Sequence, residues 1–346
     1  MPTLTAQDIP DLVKGTLYDL GPAKFNQIAQ EIQYFKVFSK WFKQDKVVFD
    51  SGIGVQRTLM ARYDRSAASH VGFSATDQTN ITDVLEQIQV PWRHAKTSWG
   101  ILYQTDVLMN RGKALIVNVV KPRRASALLA LVQELEDRAW GSPPSSTDKV
   151  LPYGIQYWLT ESATAGFNGS YPSGHTAIAG INLDNAPNFK NYTDQYTTVS
   201  KNDLIAKMRT AYRKTGFVSP LTDDQYRGSM GQRFRIYVNE PVIQDFENVG
   251  EGQNENLGKD IASMDGTTTF RRIPIEWIPA MDSRSDNPVY MVDHSSFFPV
   301  CLKGDYLRES EARQNPDAHN LYEVFMDITY NYVCDNRRKN SVITTG

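Results

Sequence analysis

Apolar side chains recur at three- and four-residue spacing in two stretches of the chain. Ile28, Ile32, Phe35, Phe38 and Phe42 form one stripe, broadened by Trp41, and predict a helix after Gly21-Pro22. A segment of ~20 residues is marginal alone in water, so this helix must dock. The stronger pattern runs through Val107, Leu108, Leu115, Val119, Leu128, Leu129, Val132, Leu135 and Ala139. It predicts a helix across 105–141, stopped by Gly141 and Pro143-Pro144. Pro122 removes one ladder hydrogen bond from its middle, at ~3 kcal/mol. Arg123 and Arg124 would sit badly at a new helix N-terminus, where the dipole is positive. The expectation is therefore one long helix kinked near Pro122.

Elsewhere the period is two. Lys46–Phe49, Val55–Arg62 and Ile81–Trp92 are β-type stretches separated by glycines and polar clusters, which predicts a long two-stranded excursion. Such a ribbon is marginal by itself, so it either folds back on its own domain or lies across another molecule. Arg57 and Arg62 fall on it. Further on, a short helix is expected at Asp203–Lys214 and strands at Arg233–Val238, Phe270–Ile278 and Pro288–Val292. The Gly/Asn/Glu-rich stretch 249–266 is expected as a solvated loop. Leu321–Asp335 alternates, with Tyr322, Val324, Met326, Ile328, Tyr330 and Tyr332 on one face, and should lie within a sheet.

Composition narrows the function. With 346 residues, 40% apolar and 22% charged, the chain is long enough to bury a core and has ordinary globular content. Its longest apolar run, Ala127–Val132, is far short of the ~20 residues of a bilayer-spanning helix, and no signal-peptide pattern opens the sequence. Thirty-seven Lys+Arg against 39 Asp+Glu leaves a charge of -2, which argues against a dedicated duplex binder. Two cysteines, Cys301 and Cys334, cannot staple such a chain and fit a reducing compartment.

Candidate chemistry is sparse. The histidines, His70, His94, His175, His294 and His319, are scattered, with no metal-ligand spacing among them. Pro172-Ser173-Gly174-His175 is similar to a motif of phosphatidic-acid-phosphatase-type acid phosphatases. However, Ser283-Arg284 stands at the wrong spacing from His294, and Lys121-Pro122-Arg123 inverts the upstream pattern; a turn is the simpler reading. Gly252 to Lys259 misses the phosphate-loop spacing by one and has Asp260 where a hydroxyl is needed. Gly52-x-Gly54 lacks a third glycine. The basic clusters Arg123-Arg124, Arg271-Arg272 and Arg337-Arg338-Lys339 read as solvated faces, inter-subunit pairing sites or weak polyanion contacts. No catalytic, cofactor-binding or metal residue is predicted.

An ordered set of fragments carries a resemblance. Asn110-Arg111-Gly112 leads to Leu135-Glu136-Asp137-Arg138-Ala139-Trp140-Gly141, then to Pro152-Tyr153-Gly154-Ile155-Gln156-Tyr157-Trp158. Pro187-Asn188-Phe189-Lys190-Asn191-Tyr192-Thr193, Arg235-Ile236-Tyr237-Val238-Asn239 and Phe270-Arg271-Arg272-Ile273-Pro274-Ile275 follow. Trp277-Ile278-Pro279-Ala280-Met281-Asp282 and Tyr330-Asn331-Tyr332-Val333-Cys334-Asp335-Asn336-Arg337-Arg338 complete the set. The chain resembles the major capsid proteins of tailed double-stranded-DNA bacteriophages, whose α+β shell fold is named after phage Hong Kong 97.

The resemblance implies an N-terminal arm and helix (1–45), an E-loop hairpin (46–98) and a P-domain with the spine helix (99–150). It further implies an A-domain (151–300) and a C-terminal segment (301–346) returning to the P-domain. Its implied partners are copies of itself in pentamers and hexamers of an icosahedral shell, and a portal protein at one vertex. A separate scaffolding protein is also implied, since the chain has little room for a scaffolding segment before its arm, and a decoration protein is a further candidate partner. Packaged double-stranded DNA would be touched weakly and without sequence specificity. The protein would assemble in the host bacterial cytoplasm and reside in the virion capsid, with no cofactor and no catalysis. An encapsulin-like bacterial compartment shares the fold and is the alternative; a soluble hydrolase using His175 is the third reading. In the capsid reading, the hairpin finds its stabilising partner on the neighbouring subunit.

Overall fold

The computed structural model describes residues 35–61, 68, 70, 84–109, 113–216, 234–255, 268–271 and 273–346. In chain order, the strands begin with β1 (Val47–Phe49), β2 (Gly54–Met60), β3 (Leu85–Pro91), β4 (Arg93–Leu102) and β5 (Tyr192–Tyr196). Next come β6 (Phe234–Val238), β7 (Thr269–Phe270), β8 (Ile273–Trp277), β9 (Val289–Asp293) and β10 (Phe297–Leu302). The last are β11 (Arg308–Glu309), β12 (Arg313–Gln314), β13 (Leu321–Cys334) and β14 (Ser341–Thr345). The longer helices are α1 (Lys113–Ala139), α2 (Leu204–Thr215) and α3 (Glu240–Glu255). The chain divides into two compact units. One comprises the described residues up to 52 with 92–139 and 299–331; the other comprises 53–91, 140–298 and 332–346.

In the first unit the alternating segment near the C-terminus organises a sheet. Leu321–Tyr330 of β13 pairs antiparallel with β4, while β11 and β12 pair with its opposite edge. Beyond β10, β1 runs parallel at the sheet margin. Tyr322, Val324, Met326, Ile328 and Tyr330 are buried, and the residues between them are half-buried, as a strand with neighbours on both sides requires. α1 is unbroken across position 122 and buries Val120, Leu128, Leu131, Val132 and Leu135 on one face. The expected N-terminal stripe survives as a helix wound in π-turns, Val37–Asp45, with Phe38, Trp41 and Phe42 buried. Val37 N–H donates to the buried Glu136 Oε2 (2.8 Å), and Phe42 meets Tyr330 edge-on at 5.8 Å. Ile28 and Ile32 lie outside the described residues.

Arg123 and Arg124, expected as a solvated or inter-subunit basic cluster, pair with carboxylates of their own chain. Arg123 grips Asp106 with both guanidinium nitrogens and donates to Gly100 O (2.9 Å), and Asp106 also accepts from Leu102 N–H (2.9 Å). Arg124 pairs with Glu309 at 2.7 Å. The basic pair thus fastens the end of β4 and the β11 strand to α1. Residues 93–98, expected within the excursion, instead belong to β4, because Trp99 and Ile101 need the sheet to bury them.

The second unit holds a sheet ordered β5-β14-β9-β6-β8-β7. Its core joins Ile236, Val238, Ile275, Val289 and Ile343 to Leu204, Met208 and Ala211 of α2 and to Val242 and Phe246 of α3. The expected loop at 249–266 is helical as far as Glu255. Docking of Val242 and Phe246 anchors that helix and carries it through Gly250 and Gly252, each worth ~1 kcal/mol against it; residues 256–266 fall outside the described set. The expected strand 270–278 is split into β7 and β8 where Arg271 adopts φ +50. Most unexpected is the end of the chain. Residues 301–346 do not return as one piece, because β14 inserts between β5 (parallel) and β9 (antiparallel) in this second sheet.

Arg337 makes that insertion stable. Expected as part of a solvated or intersubunit basic cluster, it is fully buried, its guanidinium donating to neutral oxygens. They are Trp158 O, Phe189 O (3.2 Å), Thr160 Oγ1 (3.0 Å), Ser170 O (3.3 Å) and Asn191 Oδ1 (2.7 Å). Burial pulls its proton affinity down to about 10, which still leaves it charged at neutral pH. Residues 159–191 have little regular structure, so this one side chain satisfies carbonyls that no sheet reaches. Gly169 sits against the hub so closely that a Cβ there would lie 1.8 Å from Asn191 Oδ1. Replacing Arg337 by Met should cost at least ~3 kcal/mol in urea unfolding, since it strands several buried acceptors. Arg337→Lys should recover less than half of that, as it keeps the charge but not the planar fork. A loss below 1 kcal/mol for the Met variant would contradict this role.

Candidate functional site

The hairpin is the feature with the least internal support. β2 and β3 form a two-stranded antiparallel ribbon in register from Gly54↔Pro91 to Met60↔Leu85, extended by an Ala61 N–H to Val84 O bond of 3.0 Å. Burial divides it by face. On one side Val55, Ala61, Ile88 and Val90 are buried and Leu59, Val84 and Glu86 half-buried, whereas Gln56, Thr58, Met60, Leu85, Gln87 and Gln89 on the other are exposed. Gln89 N–H donates to Ala179 O at 2.7 Å. Arg57 pairs with Asp335 and lies over the Phe298 ring at 5.5 Å. At the far end Met60 and Leu85, directly opposite each other, are 66% and 56% exposed, and Ile53 beside the base is 98% exposed.

One expectation is corrected here. The ribbon does not depend wholly on a neighbour, because one of its faces is covered by its own chain. Arg57 pairs within the chain with Asp335, and Arg62 lies outside the described residues. The exposed pair Met60 and Leu85 was not singled out from the sequence. Consecutive apolar Leu59 and Met60 break the strict alternation of a half-buried strand, and that break is the signal.

The residues that drew chemical interest have structural partners. Pro172-Ser173-Gly174-His175 is a turn in which His175 N–H donates to Pro172 O (3.1 Å). Gly174 has φ +74, and a Cβ there would stand 2.3 Å from Pro144 O, so the turn demands glycine. The His175 ring stands edge-on to Tyr157, with Nε2 3.1 Å from Pro143 O. His294 is buried against Tyr237 Oη at 2.8 Å. His94 bonds Thr329 Oγ1 at 3.0 Å. Nothing brings these imidazoles to one cleft. Among the described residues, no three His, Cys, Asp or Glu side chains are grouped to hold a metal, and no helix is long and apolar enough to cross a membrane.

Gly252-to-Lys259 enters α3 at its start and leaves the described residues at its end. Arg271 stacks over Tyr212 at 5.0 Å rather than standing free. Arg338 lies 4.0 Å over the Phe167 ring and donates to Asn188 Oδ1 (3.2 Å). The basic side chains with described partners are therefore engaged within the chain, and a phosphate-gripping surface is not assembled from them.

Two mixed units, a long helix against a sheet, a sheet flanked by helices and a projecting ribbon define the shell fold of Hong Kong 97-type capsid subunits. Solved structures of that kind superpose on the chain. The capsid asymmetric unit of cyanophage A-1(L) matches with a TM-score of 0.60 at 14% identity, covering 86% of this chain and 90% of that one. The capsid of a native GTA particle matches at 0.53 and 10% identity, covering 88% and 89%. The cyanophage Pam1 capsid asymmetric unit matches at 0.50 and 13%, covering 88% and 91%. No protein-family model matches the chain, and no curated protein matches it in sequence. The α+β shell fold expected from the ordered fragments is the fold observed.

Burial also sets the thiols. It pushes both Cys301 and Cys334 up to about 12, so neither is a thiolate at neutral pH. A chromogenic disulfide reagent at pH 8 should therefore titrate no thiol in the native chain and both in 6 M guanidinium. Rapid reaction of either in the native state would show that the core around it opens.

Proposed function

We propose that the chain is the major shell subunit of a tailed double-stranded-DNA phage, assembling through copies of itself into pentamers and hexamers of an icosahedral capsid. The observation that carries the reading is the shell fold over most of the chain, joined to a ribbon whose far end presents apolar side chains to solvent. A stable intersubunit contact buries on the order of 1,000 Å2 or more. A two-stranded ribbon with no third strand paired to it offers edge backbone groups together with Met60 and Leu85 for such a contact.

The near-neutral formal charge of -2 limits repulsion between many like copies. It also suits a wall that holds packaged DNA without gripping its phosphates. On this reading the chain performs no catalysis, works with a separate scaffolding protein and a portal protein, and resides in the virion capsid. An encapsulin-like compartment is the other container this fold serves, and the nature of the contents separates the two.

Electron microscopy of the purified full chain tests the proposal. Closed particles of uniform size are expected, and a chain that stays monomeric under all assembly conditions would overturn it. Met60→Lys with Leu85→Glu should leave the melting midpoint within about 2 °C of the parent, since both side chains are exposed and the opposed charges attract, yet abolish particles. Parent-like particle yield from that variant would remove the ribbon end from the contact.

A further inference from the structure

Two carboxylates in the second unit share one cation. Nη2 of Arg284 donates to both Glu161 Oε1 and Asp286 Oδ2, while Nε donates to Asp286 Oδ1 at 2.9 Å. Nη1 donates to Tyr290 Oη at 2.7 Å, and that hydroxyl donates on to Glu161 Oε1 at 3.4 Å. All of these side chains are half-buried or buried.

The groups that face Glu161 are Arg284, Asp286 and Tyr290, so one positive charge answers two negative ones. Tyr196, which donates to Asn287 O at 2.8 Å, lies near Asp286, Asp203 and Asp245, and Lys207 is already paired with Asp203 at 2.6 Å. Like charges held this close do not both ionise without cost, and the two groups titrate as a pair.

We propose that Glu161 and Asp286 form a proton-operated clasp, taking up one shared proton as the medium turns acid and releasing it toward neutrality. The clasp sits where it bears on the fold. Glu161 follows Thr160 of the Arg337 hub, and Asp286 O accepts from Thr345 N–H (2.9 Å) at the end of β14. It therefore joins the irregular segment 159–191 to the last strand of the chain.

The pair divides the work in opposite directions. Burial pushes the Glu161 carboxyl above its usual range. Asp286 is also buried, yet the Arg284 hydrogen bonds and charge hold it below that range. The Glu161 share of stability is therefore complete in acid and is lost as pH rises through its folded value. The Asp286 share is present at neutral pH and is lost as pH falls through its own.

Thermal melts of the full chain between pH 4.5 and 8 test this. Glu161→Gln reproduces the donor and acceptor of the protonated carboxyl. Its midpoint minus the parent midpoint should grow with pH, reaching about 2–4 °C at pH 8. Asp286→Asn should run the other way, falling further below the parent as pH rises. A Glu161→Gln difference that is flat or declines with pH would overturn the clasp, and so would failure of that variant to fold.

Discussion

A two-stranded ribbon has no third strand to hold it, and its stability must come from whatever lies against its faces and edges. Here that support covers one face of the ribbon and leaves the other in solvent. Val55, Ile88 and Val90 are buried and Gln89 is tied to Ala179, whereas Met60 and Leu85 face each other in solvent. Apolar side chains opposed across a ribbon gain little from each other while water still covers both. Another molecule laid over this end would supply the missing face.

Charge is organised within the chain. Arg123, Arg124, Arg284 and Arg337 all turn inward onto carboxylates or carbonyls of their own chain. Each adds a side-chain tie, to the end of β4, to β11, to the turn before β9 and to the irregular segment 159–191. Cations spent this way are unavailable for an outward basic face. Exposed surface ion pairs are in any case worth little.

How much was legible in the sequence follows from how local each signal is. The alternation of Tyr322 to Tyr330, the stripe of α1 and the apolar spacing of α2 depend on neighbours within a few residues, and they read correctly. What failed was non-local. β4 looked like part of the excursion because its partner, β13, lies more than 200 positions away. Arg337 looked solvated because its acceptors come from residues 158–191, and β14 could not be placed until β5 and β9 were known to flank it. The helical start of 249–266 was masked by glycines that docking of Val242 and Phe246 overrides. At the candidate site the ribbon was readable; its register, its anchoring by Asp335 and the exposure of Met60 and Leu85 were not.

Backbone hydrogen exchange reports directly on whether the far end of the ribbon is covered by another copy. The measurement compares amides of Leu59, Met60, Leu85 and Glu86 in dissociated subunits and in assembled particles, with Ile88 and Val90 as internal references. Slowing of the first four by at least about tenfold on assembly, with the references little changed, is the predicted result. Equal exchange of all four in the two states would contradict the account.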